Sequence, residues 1–344
     1  MDRIRRECGI RLETITGSEE ARLVWLAIRM RVDLGDLPWM AMDLGGGSLE
    51  VSQISRTGVD WAESYHMGTV RTLERLGGQE DEQKLQKLMA EYVQTLRIPE
   101  REPGEEIGGL LASGGNIEAI ADLAGAEPDA RGAARLSMQA FRETIEMLGA
   151  MSVAERIEKL GLREDRADVI YPAGLIYGRV ADLVGVDEIW VPHVGVKEGV
   201  LIDRLDDVVG PRVRASRIEE QAFAGAMALG RRFQFDEAHH RHVVRLALSI
   251  FDQLSDLHGL GVRERRMLLV AAALHDAGQF ISYRRHHKHS LYLIYNSDIP
   301  GISEQDRPMT ALVARYHRRA EPRESHYLYR DLGEEDREAV ARLA

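Results

Sequence analysis

MAMDLGGGSLEVSQ, residues 40–53, sets three glycines between an acid and a serine and places a second acid two residues beyond the serine. The apolar run Trp39 to Met42 reads as a buried strand, and LEVSQI alternates apolar and polar residues like a second one. The stretch is therefore read as a hairpin with Gly45, Gly46 and Gly47 at its bend. Glycines there permit φ > 0 and close approach, so backbone N–H groups and the Ser48 hydroxyl can converge on an anion such as phosphate. Asp43 and Glu50 would repel a bare phosphate, yet they suit one that carries a divalent cation or meets an attacking water. A tight hairpin with two solvated acids fits the same residues, so the rest of the chain has to decide.

At 344 residues, 44% hydrophobic and 29% charged, the chain is long enough for two or three globular domains. No apolar run approaches the roughly 20 residues of a membrane span, and MDRIRRECGIRLE has no apolar stretch after its basic residues that would make a signal peptide. The single Cys8 has no intrachain partner for a disulfide, which fits a reducing cytoplasm. A net charge of −11 argues against a nucleic-acid partner. It leaves room for a polyanionic substrate, because basic residues cluster in YRRHHKH and ARYHRRAEPR. Such clusters also occur as plain solvated faces.

Further along the chain, IRLETIT (residues 10–16) reads as a strand, followed by a helix with Ser18 as its N-cap. GVDWAESYHMG suggests a third strand, and TVRTLERLGG and EDEQKLQKLMAEYVQTL suggest helices. EIGGLLASGGNIEAIADLAG reads as a strand, a Gly114-Gly115 turn and a helix opening at Asn116, which offers a second set of N–H groups to an anion. Residues 166–205 read as helix, strand, glycine turn and helix. Beyond Pro211 the patterns are helical throughout, and 11 of the 12 histidines lie from His193 onward.

Taken in order, these segments resemble the exopolyphosphatase/guanosine pentaphosphate phosphatase (Ppx/GppA) family. TGSEEARL is similar to its SG-x-EEARL stretch, MDLGGGSLE to its DIGGGSTE phosphate loop, and ASGGNIEAIADL to its glycine turn before a helix. YPAGLIYG and VGVKEGVLIDRL resemble its PAG and GLREG segments. DEAHHRHVVRLALSIFDQL, LHDAGQFI, HHKHSLYLIYNSDIPGIS and VARYHRR resemble its helical domain. The resemblance implies an α/β actin-like lobe, of the sugar-kinase-like and ribonuclease-H-like kind, followed by an all-α HD-like domain. It implies residues 1–22 as a remnant of a first lobe, 23–210 as the second lobe, and 211–344 as the helical domain. No D-x-GSNS loop stands before Met1, and the chain ends at EAVARLA, so the expectation is a chain shortened at both ends. Leu49 and Asn116 stand where the family carries Thr.

The implied activity is removal of terminal orthophosphate from inorganic polyphosphate or guanosine pentaphosphate, with magnesium as cofactor, in a cytoplasmic protein that allows a homodimer and engages neither nucleic acid nor membrane. The resemblance carries the catalytic base onto Glu20; a glutamate in a first helical turn also suits the helix dipole without any catalytic role. Gly45, Gly46, Gly47 and Ser48, with Ser113, Gly114 and Gly115, are the implied phosphate-binding residues, and Asp43 and Glu50 the magnesium ligands. Arg71 offers either a bidentate phosphate contact or a surface ion pair. His239, His275 and Asp276 match an HD-type metal site, which His289 and His317 would extend to a second ion. Arg284, Arg285, Lys288, Arg318 and Arg319 are read as a basic wall for polyanion. The alternatives are an HD-type metal phosphohydrolase working from the helical domain, and a non-catalytic protein that binds polyphosphate or nucleotide.

Overall fold

The computed structural model describes residues 2–10, 15–76, 87, 90–96, 98, 106–318, 321–326 and 328–344. They form two compact units, one of Ala21–Ala224 and one of Met1–Glu20 with Gly225–Ala344. Among the described residues no helix is long and apolar enough to cross a membrane.

The first unit is built on a six-stranded mixed sheet in the order β3-β2-β1-β4-β6-β5. β1 (Trp39–Leu44), β2 (Leu49–Ile54) and β3 (Val59–Tyr65) form an antiparallel meander, the hairpin read from the sequence. β4 (Leu110–Ser113) runs parallel to β1, β6 (Glu188–Val191) runs parallel to β4, and β5 (Ala134–Ser137) closes the edge antiparallel to β6. Alternation sends Met40, Met42, Leu49, Val51, Leu110 and Ala112 to one face, where Ile117, Ile120 and Tyr177 cover them. The opposite face buries Trp39, Ala41, Ile54 and Leu111 against Trp25, Leu26 and Ile28 of α2 (Gly17–Arg31). Both faces are covered, so two polar residues of LEVSQI are buried: Glu50 is 7% exposed and Ser52 6%.

Two expected features differ at the chain's start. Residues 11–14 of the expected strand lie outside the described residues, and Thr16, at its end, instead caps α2 by accepting the Glu19 N–H at 3.2 Å. Ser18 stands one residue inside the helix, and its own N–H donates to Asp298 at 2.8 Å. A helix not read from the sequence, α1, covers Asp2–Cys8.

Two of the family-like segments meet inside this unit. Arg22 of EEARL, 1% exposed, donates to Asp203 of LIDRL at 2.9 Å, and Arg214 donates to the other carboxylate oxygen at 2.8 Å. Burial pushes Asp203 up, but the hydrogen bonds from Arg214 and Arg22 outweigh it and hold the carboxyl below the ordinary range. Removing one partner of a buried ion pair costs about 3–5 kcal/mol. Asp203→Ala is expected to lose stability of that order in urea denaturation, and a loss under about 1 kcal/mol would show the pair to be as weak as a surface one.

The second unit is helical. Its main elements are Glu237–Gln253, Val262–Leu274, His286–Tyr295, Arg307–Tyr316 and Glu334–Leu343, with the end of Pro211–Arg232. A 3₁₀ turn, Ala277–Phe280, links the second to the third, and His286–Tyr295 packs on Arg307–Tyr316.

Candidate functional site

The end of β1 delivers the glycine bend, and the parallel register of β4 brings the second glycine turn beside it. Asp43 stands opposite Glu50 on β2 and opposite Ser113 on β4, while Glu50 stands opposite Ser64 on β3. Ser64, Glu50, Asp43 and Ser113 therefore form one polar row across four strands, on the face that α2 covers. Ser64 donates to Glu50 at 2.9 Å. Burial, with the carboxylates of Glu50 and Glu118 adding to it against a hydrogen bond from Ser113, raises Asp43 to about 6. The two acids are a partly desolvated pair rather than solvated hairpin residues.

The bend itself differs from the expectation in one respect. None of Gly45, Gly46 and Gly47 has a positive φ. Close approach is needed instead at Gly68, where a Cβ would strike the backbone of Gly46, Gly47 and Ser48, and a Cβ on Gly46 would lie 3.2 Å from Val70. This contact lets the first amides of α3 (Thr69–Leu76) reach back to the bend, Thr69 N–H to Gly45 O at 3.1 Å and Arg71 N–H to Gly46 O at 3.0 Å. With those carbonyls engaged, the N–H groups of Gly46 and Gly47 have no acceptor among the described residues. Ser48 is half-buried.

Gly114 does need its special backbone. It caps the helix Gly115–Leu123 with φ 112°, and a Cβ there would lie 3.0 Å from Leu44 O and 3.5 Å from Asp43 Oδ1. The second glycine turn thus packs against Asp43 and Leu44, the residues that lead into the first bend. Tyr177, fully buried, donates its hydroxyl to Ser113 O at 3.1 Å and fixes this turn from below; burial holds its phenol well above the ordinary range. Two guanidinium groups border the turns. Arg71 Nη2 would lie 4.0 Å from a Cβ on Gly47, and Arg166 Nη2 2.7 Å from one on Gly115. Among the described residues the partner found for the Arg71 guanidinium is His66 Nδ1, at 2.9 Å. Glu20 lies in the first turn of α2, the helix whose later residues pack on Trp39, Ala41, Ile54 and Leu111 of the sheet.

In the helical unit, four elements converge on Asp276. His239 comes from the first turn of Glu237–Gln253, His275 ends Val262–Leu274, His286 opens His286–Tyr295, and His317 ends Arg307–Tyr316. His239, His275 and Asp276 come together as expected, and His317 joins them. His286 takes the place expected of His289, because the tight turn after Asp276 faces the first residue of the next helix. Gly278 makes that turn possible: a Cβ on it would strike His286 O and Ser290 N. Ser290, fully buried, accepts from Gly278 N at 2.9 Å and donates to His275 O at 2.7 Å. Burial pushes the Asp276 carboxyl up, but hydrogen bonds from His275 and His317 outweigh it and hold it far below the usual carboxylate range. Arg284, Arg285, Lys288 and Arg318 are exposed, and Arg319 lies outside the described residues.

The family model for the Ppx/GppA phosphatase family matches residues 1–208, and that for Ppx/GppA phosphatase domain III matches residues 224–344. The chain belongs to the Ppx/GppA phosphatase family. Among solved structures it is similar to an exopolyphosphatase from Cytophaga hutchinsonii ATCC 33406, at 27% identity and TM-score 0.50, over 60% of this chain and 69% of that one. It shares a fold with the Aquifex aeolicus Ppx/GppA family member, at 21% identity and TM-score 0.50 over 60% and 69% of the two chains. It also shares one with an exopolyphosphatase-like protein, at 24% identity and TM-score 0.51 over 60% and 72%. The mixed sheet with its flanking helices is the actin-like lobe of this family.

Several residues of this Ppx/GppA chain were not singled out in its sequence. Ser64 and Glu118 reach the polar row through strand register and a helix start, and Arg166 reaches the second glycine turn from a segment about 50 residues away in sequence. No local pattern marks them. Tyr177 sits in the YPAGLIYG segment, whose apolar character reads as core, and its hydroxyl is the part that matters here.

Proposed function

We propose that this chain removes terminal orthophosphate from inorganic polyphosphate or guanosine pentaphosphate at the two glycine turns. The observation that carries the reading is the packing of the Gly114 turn against Asp43 and Leu44, which places both glycine turns at one end of neighbouring parallel strands. Such a place offers unengaged N–H groups of Gly46 and Gly47 to phosphate oxygens, and Arg71 and Arg166 supply positive charge at the rim.

Asp43 and Glu50 fit a magnesium ion: they stand opposite each other in register, and the raised Asp43 pKa marks negative charge that its surroundings do not compensate. When bound there, magnesium supplies Lewis-acid neutralisation of phosphate charge. Glu20 takes the proton of the attacking water as its oxygen bonds the terminal phosphorus. The bond from that phosphorus to the bridging oxygen breaks, so orthophosphate leaves a chain one unit shorter, or guanosine tetraphosphate from the pentaphosphate. The exposed Arg284, Arg285, Lys288 and Arg318 provide a polyanion-binding surface on the helical unit.

The test is incubation of the purified chain with magnesium and each substrate, following orthophosphate and the residual chain length. Stepwise orthophosphate release is expected. Binding of polyphosphate with no release would return the chain to the non-catalytic reading.

A further inference from the structure

The helices Met138–Gly149 and Ile170–Val184 pack side by side in the first unit. Glycine contacts fix their register: a Cβ on Gly149 would lie 2.7 Å from the Tyr171 ring, one on Gly174 would strike Ile145, and one on Gly178 would lie 3.3 Å from Phe141. Residue numbers rise on one helix as their partners fall on the other, so the pair is antiparallel. Further along, Arg142 donates to Asp182 at 2.8 Å. The two helices border a cleft of about 460 Å³, the size of a small-molecule site. Phe141, Ile145 and Leu175 give it apolar walls, while Arg179 and Glu146 bring a cation and an anion.

Arg179 is the group that the fold leaves incomplete. It follows Tyr177 by two residues, about 200° round the helix, so it stands on the side away from the turn that Tyr177 holds. Its Nε is buried with no hydrogen-bond partner. Buried donors are almost always paired, and a guanidinium cannot shed its proton to avoid the cost. The neighbouring buried arginine shows the usual solution: Arg156 donates Nε and Nη2 to Leu148 O at 3.0 and 2.8 Å, and Nη1 to Ala167 O at 3.0 Å. A ligand in the cleft can bring Arg179 its acceptor, and a carboxylate is the group that matches a guanidinium through parallel bonds.

A simple organic anion would also meet Glu146, which lines the same cleft from the facing helix. In the antiparallel register Glu146 lies within about two turns, roughly 10 Å, of Arg179 along the groove. A ligand with a cationic group beside its carboxylate satisfies both, since each hydrogen bond spans about 2.9 Å. The Arg142 charge is already answered by Asp182.

We propose that this cleft binds an α-amino acid with an apolar side chain, its carboxylate on Arg179, its ammonium on Glu146 and its side chain against Phe141, Ile145 and Leu175. The site is separate from the glycine turns, and it stands whether or not they hydrolyse phosphoanhydrides.

The test is calorimetric titration of the purified full chain with L-phenylalanine and L-leucine, and with 3-phenylpropionate and phenethylamine, which lack the ammonium and the carboxylate of phenylalanine. At least one of the amino acids is expected to bind saturably, at about one per chain. For phenylalanine, each analogue is expected to bind about tenfold or more weakly, because it leaves one charged partner unmatched. Arg179→Gln and Glu146→Gln are expected to weaken the amino acid by a similar factor. Glu143→Gln, on the same helix and outside the cleft lining, is expected to leave it unchanged. Far-UV circular dichroism confirms that each variant is folded. Absence of saturable binding by either amino acid overturns the proposal on the wild type alone. Binding of 3-phenylpropionate as tight as that of phenylalanine overturns it too, since the cleft would then be a site for organic anions, and so does unchanged affinity in folded Arg179→Gln.

Discussion

Glu20→Gln is expected to bind polyphosphate as the wild type does and to release orthophosphate about 10²–10⁴-fold more slowly, the usual contribution of a general base. The amide keeps the size and hydrogen-bonding shape of the carboxylate and loses only its basicity. The position is well determined: Thr16 caps α2, and its carbonyl accepts the Glu20 N–H at 2.9 Å. A purely structural role would arise from the favourable placement of an anion at a helix N-terminus, worth about 0.3–1 kcal/mol. That role predicts a small fall in melting temperature and no change in kcat, and it predicts the same for Glu19→Gln in the same turn. Measuring kcat, KM and melting temperature for both variants separates the cases. Glu20→Gln retaining more than half of the wild-type kcat would remove Glu20 from the chemistry.

What the sequence revealed here and what it concealed follow from the range of each interaction. The β1–β2 hairpin was legible because its signals are local: an apolar run, a glycine bend and an alternating run lie within sixteen residues. The close packing of the bend was not, since it depends on Gly68, which a pattern read along one hairpin does not reach. Alternation in LEVSQI suggested a solvated polar face, yet α2 covers that face and turns Glu50 into a buried acid. In the helical unit, HHKH offers three histidines in four residues with nothing local to rank them. The choice of His286 is made by the close packing of Gly278 against the start of its helix, a contact between separate elements. Asp43 and Glu50 were recognisable as a pair from their spacing across the bend. That they share a row with Ser64 and Ser113 is a property of register.

Asp43→Asn is expected to do two opposite things: to impair turnover, and to stabilise the fold in metal-free buffer. In the folded chain burial, opposed by a hydrogen bond from Ser113 and reinforced by the nearby Glu50 and Glu118 carboxylates, raises the Asp43 carboxyl from its ordinary 3.8 to about 6. Between those values the unfolded chain binds fewer protons than the folded one, so stability falls as pH rises from about 4 through 6. At pH 7 the charged carboxylate costs up to about 3 kcal/mol, at 1.36 kcal/mol for each pKa unit. Asparagine removes that charge, so the variant should be more stable than wild type by up to this amount at neutral pH, a gain that disappears below about pH 4. Magnesium should raise the melting temperature of the wild type by binding the folded acids, and should raise that of Asp43→Asn less. The chain would then carry a destabilising charge beside its second glycine turn, which is the pattern of a group retained for what it binds. Thermal melts at pH 4 and pH 7, with and without magnesium, provide the check. Equal stability of the two proteins at pH 7, with equal magnesium shifts, would mean that the acid is already compensated within the fold and is not held in wait for a cation.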